Sequence, residues 1–123
     1  MKEELESVFK NEMLFLEQIF NSDSKNYHAW SYKVWIVERY ELWNNQEHMV
    51  FVDKMLDNDV MNNSVWSFRY FLIMRKNKDN FSMALVNMEL RYTIEIRIPQ
   101  NWKNEASWTY LRGFLASSKE EAE

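Results

Sequence analysis

Cysteine is missing altogether, while glycine and proline occur once each, at Gly113 and Pro99. With no thiol there can be no disulfide, no cysteine nucleophile and no thiolate metal site. A single glycine excludes the phosphate-cradling loops built on two or more, and also the turn chemistry that a sheet protein needs at every hairpin. Basic surplus is absent too: the chain carries 15 Lys and Arg against 19 Asp and Glu, a net charge of −4. No Lys/Arg stripe interleaves with the aromatics, so nucleic acid is not an expected partner. No apolar run reaches membrane-spanning length, and the opening MKEELESVFK is too acidic for a signal or transit peptide. Membrane insertion is not expected, and the default is a soluble cytoplasmic protein. Two histidines twenty residues apart, His28 and His48, lack the third ligand that zinc would need, and no metal site is assigned to the chain.

What the sequence does hold is aromatic mass, six Trp, six Tyr and eight Phe, distributed in a repeating pattern. Asparagine stands four positions before a tryptophan three times, at Asn26 and Trp30, Asn62 and Trp66, and Asn104 and Trp108. Ser31, Ser67 and Thr109 follow the tryptophans, and Asp23 and Asp59 precede the first two by seven. The tryptophans are 36 and 42 residues apart, the period of helical-hairpin repeats that stack because none can bury its apolar face alone. Periodicity predicts helices over residues 3–20, 27–43, 46–56, 64–74, 81–98 and 105–117, with Asn, Asp and Ser making the turns and Pro99 ending the fifth. The expected fold class is all-α, an α-α superhelix (solenoid) of about three helical hairpins over residues 1–118, followed by a frayed acidic tail at 119–123. Two apolar stripes on the second helix, Trp30, Val34 and Val37 on one and Tyr32, Trp35, Ile36 and Tyr40 on the other, predict cover on both sides. Leu85, Met88 and Tyr92 are the expected stripe of the fifth helix, and Trp108, Leu111 and Leu115 that of the sixth.

Lys25, Tyr27 and His28 bring a cation, a phenol and an imidazole to one helix start, where the dipole and unbonded N–H groups favour an anion. Residue chemistry alone favours the plainer alternative, in which Asn26 or Ser24 caps the helix, Tyr27 packs and Lys25 is solvated. Trp30, Trp66 and Trp108 are expected as packing keystones of the repeats, because one per unit is a structural recurrence.

The stretches KNYHAWSYKVWIVERYELWNN, DNDVMNNSVWSFRYFLI and NEASWTYLRGFL resemble three successive repeats of the protein prenyltransferase α subunit, the one shared by farnesyltransferase and geranylgeranyltransferase type I. The resemblance covers roughly residues 13–115 and implies a crescent of helical hairpins that wraps a β subunit. It implies a reaction in which a farnesyl or geranylgeranyl group passes from its diphosphate to the cysteine of a C-terminal C-a-a-X box. It places zinc, with magnesium as a second ion, on the β subunit or the complex, and none on this chain. Lys25, Tyr27 and His28 then fall at the rim beside the diphosphate, as substrate-binding positions. The family's catalytic lysine lies in an earlier KNY-type repeat, so no residue here is assigned a catalytic part, and the three repeats look like a partial or reduced copy. Tyr32 and Lys33 stand where the family usually has His and Arg, and Ser67 and Phe68 replace a more polar pair. The alternative function is a non-catalytic helical-repeat scaffold for protein–protein interaction.

Overall fold

The computed structural model describes residues 2–78 and 82–122, and their side chains at 3–78 and 82–116. Among the described residues there is no strand; the chain is helical, as the repeats predict. It divides into two compact units, Met1–Leu42 and Trp43–Glu123.

The first unit is one hairpin of α1 (Lys2–Ser22) and α2 (Tyr27–Arg39). Leu16 and Phe20 of α1 and Ala29, Trp30, Ile36 and Val37 of α2 are buried, and the Phe20 and Trp30 rings lie 4.3 Å apart. α2 stops four residues before the expected end at 43. Leu42 N–H bonds Val37 O at 2.9 Å and Glu41 N–H bonds Glu38 O at 3.4 Å, with Glu41 at φ 55°. This pair of bonds around one left-handed residue is the Schellman stop, made here by a glutamate where glycine is usual. The second α2 stripe is not covered as expected: only Ile36 of it is buried, and Trp35 is 55% exposed.

The second unit holds α3 (Glu47–Asn58), α4 (Asn63–Lys76), α5 (Met83–Arg91) and α6 (Glu105–Ala122). α3 packs on α4, and α4 and α5 both pack on α6. Val65, Trp66, Phe68, Leu72 and Ile73 are buried, as expected of a helix apolar on most sides, and Ile73, Val86 and Phe114 form a shared core. The predicted fifth helix is three segments: α5, a π turn over Tyr92–Arg97, and a 3₁₀ turn over Ile98–Gln100 that contains Pro99. Its expected start at Phe81 lies outside the described residues. Its buried side is also displaced by one position from the one predicted: Val86, Glu89, Thr93 and Arg97 are buried while Met88 is 66% exposed. Charged residues on that stripe hid it from an apolar count, because Glu and Arg are seldom buried unless they are paired, and here both have partners. On α6 the inward residues are Ser107, Tyr110, Leu111 and Phe114, so Trp108 and Leu115 of the predicted stripe face outward. α6 continues to Ala122 through most of the stretch read as a tail, where Lys, Glu and Ala are strong helix formers. Glu123 lies outside the described residues.

Candidate functional site

Each tryptophan repeat builds the same small loop from local hydrogen bonds. Oδ1 of Asp23, Asp59 and Asn101, each seven residues before its tryptophan, accepts the N–H two residues on, at 3.3, 3.0 and 3.2 Å. These are Asx turns, which fold the chain back without glycine. The sequence pattern showed only the two aspartates, yet Asn101 does the same with its amide oxygen. Asn26 Oδ1 then caps α2 through Ala29 N–H at 3.0 Å, Asn62 caps α4 through Ser64 N–H at 3.0 Å, and Asn104 accepts Ala106 N–H at 3.0 Å. Finally the indole N–H of Trp30, Trp66 and Trp108 donates to the carbonyl six residues earlier, Ser24, Val60 and Trp102, at 2.9, 2.8 and 2.9 Å. The three keystones share this bond but not their burial: Trp30 is 7% exposed, Trp66 1% and Trp108 41%.

At the first loop Lys25, Tyr27 and His28 are all exposed, Tyr27 at 77%. The Tyr27 and His28 rings meet edge to face at 5.8 Å, and Asn26 holds the cap between Lys25 and Tyr27. The three side chains are thus gathered at the N-terminal end of α2, with the phenol and imidazole open to solvent. Two parts of the plainer expectation hold, the Asn26 cap and a solvated Lys25; Tyr27 does not pack away.

Sequence reading missed a buried charged network in the second unit. Arg69 donates to Glu89 through Nε at 3.2 Å and Nη2 at 2.9 Å, and Tyr110 O–H donates to the same carboxylate at 2.6 Å. Arg69 Cζ lies 3.7 Å from the Tyr92 ring centre, and its Nη1 is 3.6 Å from Asp53 Oδ1. Tyr92 O–H donates to Asp53 Oδ1 at 2.7 Å and accepts from Arg97 Nε at 2.7 Å, while Arg97 Nη1 donates to Asp57 at 2.8 Å. Burial, with the Glu89 charge beside it, pushes the Tyr110 phenol well up; burial pushes Tyr92 up to about 12. The equivalent of Arg69 in the first repeat, three residues past the tryptophan, is Lys33, 2% exposed with Nζ 3.2 Å from Met13 Sδ. Burial lowers its pKa to about 8. The available signal was the shared offset from Trp, which puts Lys33 and Arg69 on the inner side of their helices.

Two hollows open in the second unit. One of about 360 Å³ lies between α4 and α6, lined by Trp66, Ser67, Tyr70, Thr109 and Tyr110 among others. The other, about 400 Å³, has Arg69 and Glu89 among apolar walls from Met49, Leu72, Leu85 and Met88. Among the described residues no group of three His, Asp or Glu side chains is placed to hold a metal ion, and no helix is long and apolar enough to cross a membrane.

The protein prenyltransferase alpha subunit repeat matches twice, at residues 9–40 and 45–76, which together make up more than half of the chain. The chain belongs to this family. Its first match contains the Asn26 cap and Trp30, and its second Asn62 and Trp66, so the family's repeat is the loop-and-helix unit described above. Among solved structures it is similar, at 37% identity and a TM-score of 0.78, to a chain of Candida albicans protein geranylgeranyltransferase-I complexed with GGPP. That likeness covers 85% of this chain and 34% of the other, so this chain spans about a third of the length of its structural relative. No curated protein sequence matches.

Proposed function

We propose that this chain serves as an alpha subunit, or part of one, in a heterodimeric protein prenyltransferase of the cytoplasm, which transfers a farnesyl or geranylgeranyl group from its diphosphate to a C-terminal cysteine of a protein substrate. The observation that carries this reading is the combination of two prenyltransferase alpha repeats with 37% identity to a geranylgeranyltransferase-I chain over 85% of this one. Zinc, with magnesium as a second ion, belongs in this reading to the β partner or the complex. The part taken by this chain is electrostatic. The phenol of Tyr27, the imidazole of His28 and the ammonium of Lys25, exposed at the start of α2, supply donors and positive charge to a departing diphosphate at the rim. Trp30, through its indole bond to Ser24 O, holds the loop that presents them.

The test is reconstitution with a prenyltransferase β subunit and an assay of prenyl transfer to a C-a-a-X peptide. Tyr27→Phe is expected to lower turnover by roughly tenfold to a hundredfold, the range for one lost transition-state donor, with heterodimer assembly unchanged. Equal turnover for Tyr27→Phe and His28→Ala would remove the site assignment. A chain that pairs with β-type or other helical partners yet supports no transfer would instead favour the scaffold reading, which draws on the exposed aromatics Tyr32 and Trp35 of α2 and Tyr40 just past its end.

A further inference from the structure

The second and third repeats are joined by contacts whose residues keep fixed places relative to the tryptophan. Asn104 Nδ2 of the third donates to Val60 O of the second at 2.6 Å, the carbonyl that also receives the Trp66 indole. The Tyr110 ring lies 5.0 Å from the Trp66 ring, which is 1% exposed. Glu89, which accepts from the Tyr110 hydroxyl at 2.6 Å, receives Arg69 of the second repeat through Nε and Nη2.

Both halves of this joint recur on open faces. The first repeat carries the half that the third presents to the second. Asn26 stands where Asn104 does, and Tyr32, two residues past its tryptophan, stands where Tyr110 does. Tyr32 O–H donates to Glu12 on α1 at 2.9 Å, as Tyr110 donates to Glu89, yet Tyr32 is 39% exposed. The third repeat carries the other half. Trp102 O receives the Trp108 indole as Val60 O receives that of Trp66, and the Trp108 ring is 41% exposed. Arg112, exposed on the same helix, lies one residue past the place that Arg69 holds in the second repeat. One face thus offers an amide donor, a phenol ring and a carboxylate; the other offers a carbonyl, an indole and a guanidinium.

We propose that a second copy of this chain docks here head to tail, the first repeat of one copy closing on the third repeat of the next as the third closes on the second within one chain. Asn26 then donates to Trp102 O, the Tyr32 ring covers Trp108, and Arg112 meets Glu12. Stacked repeats contact only their neighbours, so one kind of joint can serve between chains as well as within one. The contact is heterologous: it uses two different faces, each added copy leaves one of each open, and assembly runs on into a ring or a filament. This pairing does not depend on the prenyl-transfer reading. A chain that spans 34% of its structural relative gains array length by adding copies.

The test is sedimentation velocity of the full chain over a rising concentration series, with Glu12→Arg blocking the first face and Trp108→Ala the second. The unaltered chain is expected to gain mass with concentration and to pass beyond a dimer, which a contact between two identical faces does not allow. Each variant is expected to weaken association by about tenfold or more, as for a lost interface anchor. Mixed in equal amounts, the two variants should form a dimer and go no further, because Glu12→Arg keeps an intact third repeat and Trp108→Ala an intact first. The proposal is overturned if the unaltered chain stays monomeric up to millimolar concentration, if it stops at a dimer, or if neither variant weakens its association; the open faces then belong to a further repeat or to another protein. Should a variant fail to fold, amine cross-linking of the full chain mixed with an isotope-labelled copy decides. Lys25 directly precedes Asn26 and Lys103 directly follows Trp102, so a link from Lys25 of one copy to Lys103 of another supports the joint, and its absence overturns it.

Discussion

Lys33 and Arg69 occupy the same place in successive repeats, three residues beyond the tryptophan, and both are almost fully buried. Arg69 is answered by a bidentate carboxylate, a phenol on that carboxylate and an aromatic face. Against Lys33 the hairpin places a thioether. The consequence for charge is opposite. Burial disfavours both cations, but at Arg69 Glu89, Tyr110 and Tyr92 together offset it and the pKa is raised, whereas burial wins at Lys33 and lowers it to about 8. One repeat scaffold therefore tolerates either a carboxylate-paired guanidinium or an amine of lowered pKa at its inner position, and two contacts that differ, Glu89 and Met13, lie twenty residues away in sequence.

The sharpest way to break the comparison is to remove the partner in the second unit. Glu89→Ala leaves Arg69 and the Tyr110 hydroxyl without their acceptor, and chemical denaturation is expected to show a loss of about 3–5 kcal/mol, as for other broken buried pairs. Replacing both members, Arg69→Met with Glu89→Leu, should recover most of that loss; a double variant as unstable as Glu89→Ala would show that the pair matters for more than satisfying charge. Of similar size is Trp66→Ala, at about 3–5 kcal/mol for a buried aromatic, while Trp108→Ala should cost less than half as much because its ring is 41% exposed. Equal losses would show that the shared indole bond, rather than burial, sets the value.

The Lys33 side is sharpened by pH. Its folded pKa of about 8 lies below the ordinary 10.5, so the unfolded chain binds more protons between those values. Stability is therefore penalised below pH 8 and recovers as pH rises through that window. Lys33→Met should stabilise the chain at pH 7 by something on the order of 2–3 kcal/mol and abolish the rise. The tyrosines work the other way: Tyr92 at about 12 and Tyr110, also raised, favour folding below pH 10 and lose that contribution as pH climbs through their folded values. Melting curves from pH 7 to 11 should accordingly rise and then fall, and a flat profile to pH 9.5 would contradict the Lys33 assignment. The smallest expected effect is Gly113→Ala. The added methyl would meet nothing nearer than Tyr70 Cε2 at 4.0 Å, so the usual helix preference should stabilise by about 0.5–1 kcal/mol in the same assay.

Much of this molecule can be read from its letters, because its loops are made of short-range bonds. Asn26, Asn62 and Asn104 at a fixed offset from tryptophan encode both the cap and the start of the next helix, so helix order and type follow. What escaped has physical causes. The end of α2 was missed because its left-handed residue is Glu41 and not glycine or asparagine. The inner side of the fifth segment was missed because Glu89 and Arg97 look solvent-facing until their partners on α3, α4 and α6 are known, and the π turn that follows α5 has no residue signature of its own. At the candidate helix start, the grouping of Lys25, Tyr27 and His28 was legible as a local cluster, but the exposure of Tyr27 was not.

The Val60 carbonyl receives both the Trp66 indole N–H at 2.8 Å and the Asn104 amide at 2.6 Å. In the language of one-dimensional lattices, a single atom belongs at once to one site and to the bond joining it to its neighbour. Neither repeat can vacate that oxygen without altering what the other sees. Fraying of the last repeat should therefore be felt as a softened Trp66 loop, so that local opening in this unit spreads by steps of a whole repeat, not a residue at a time.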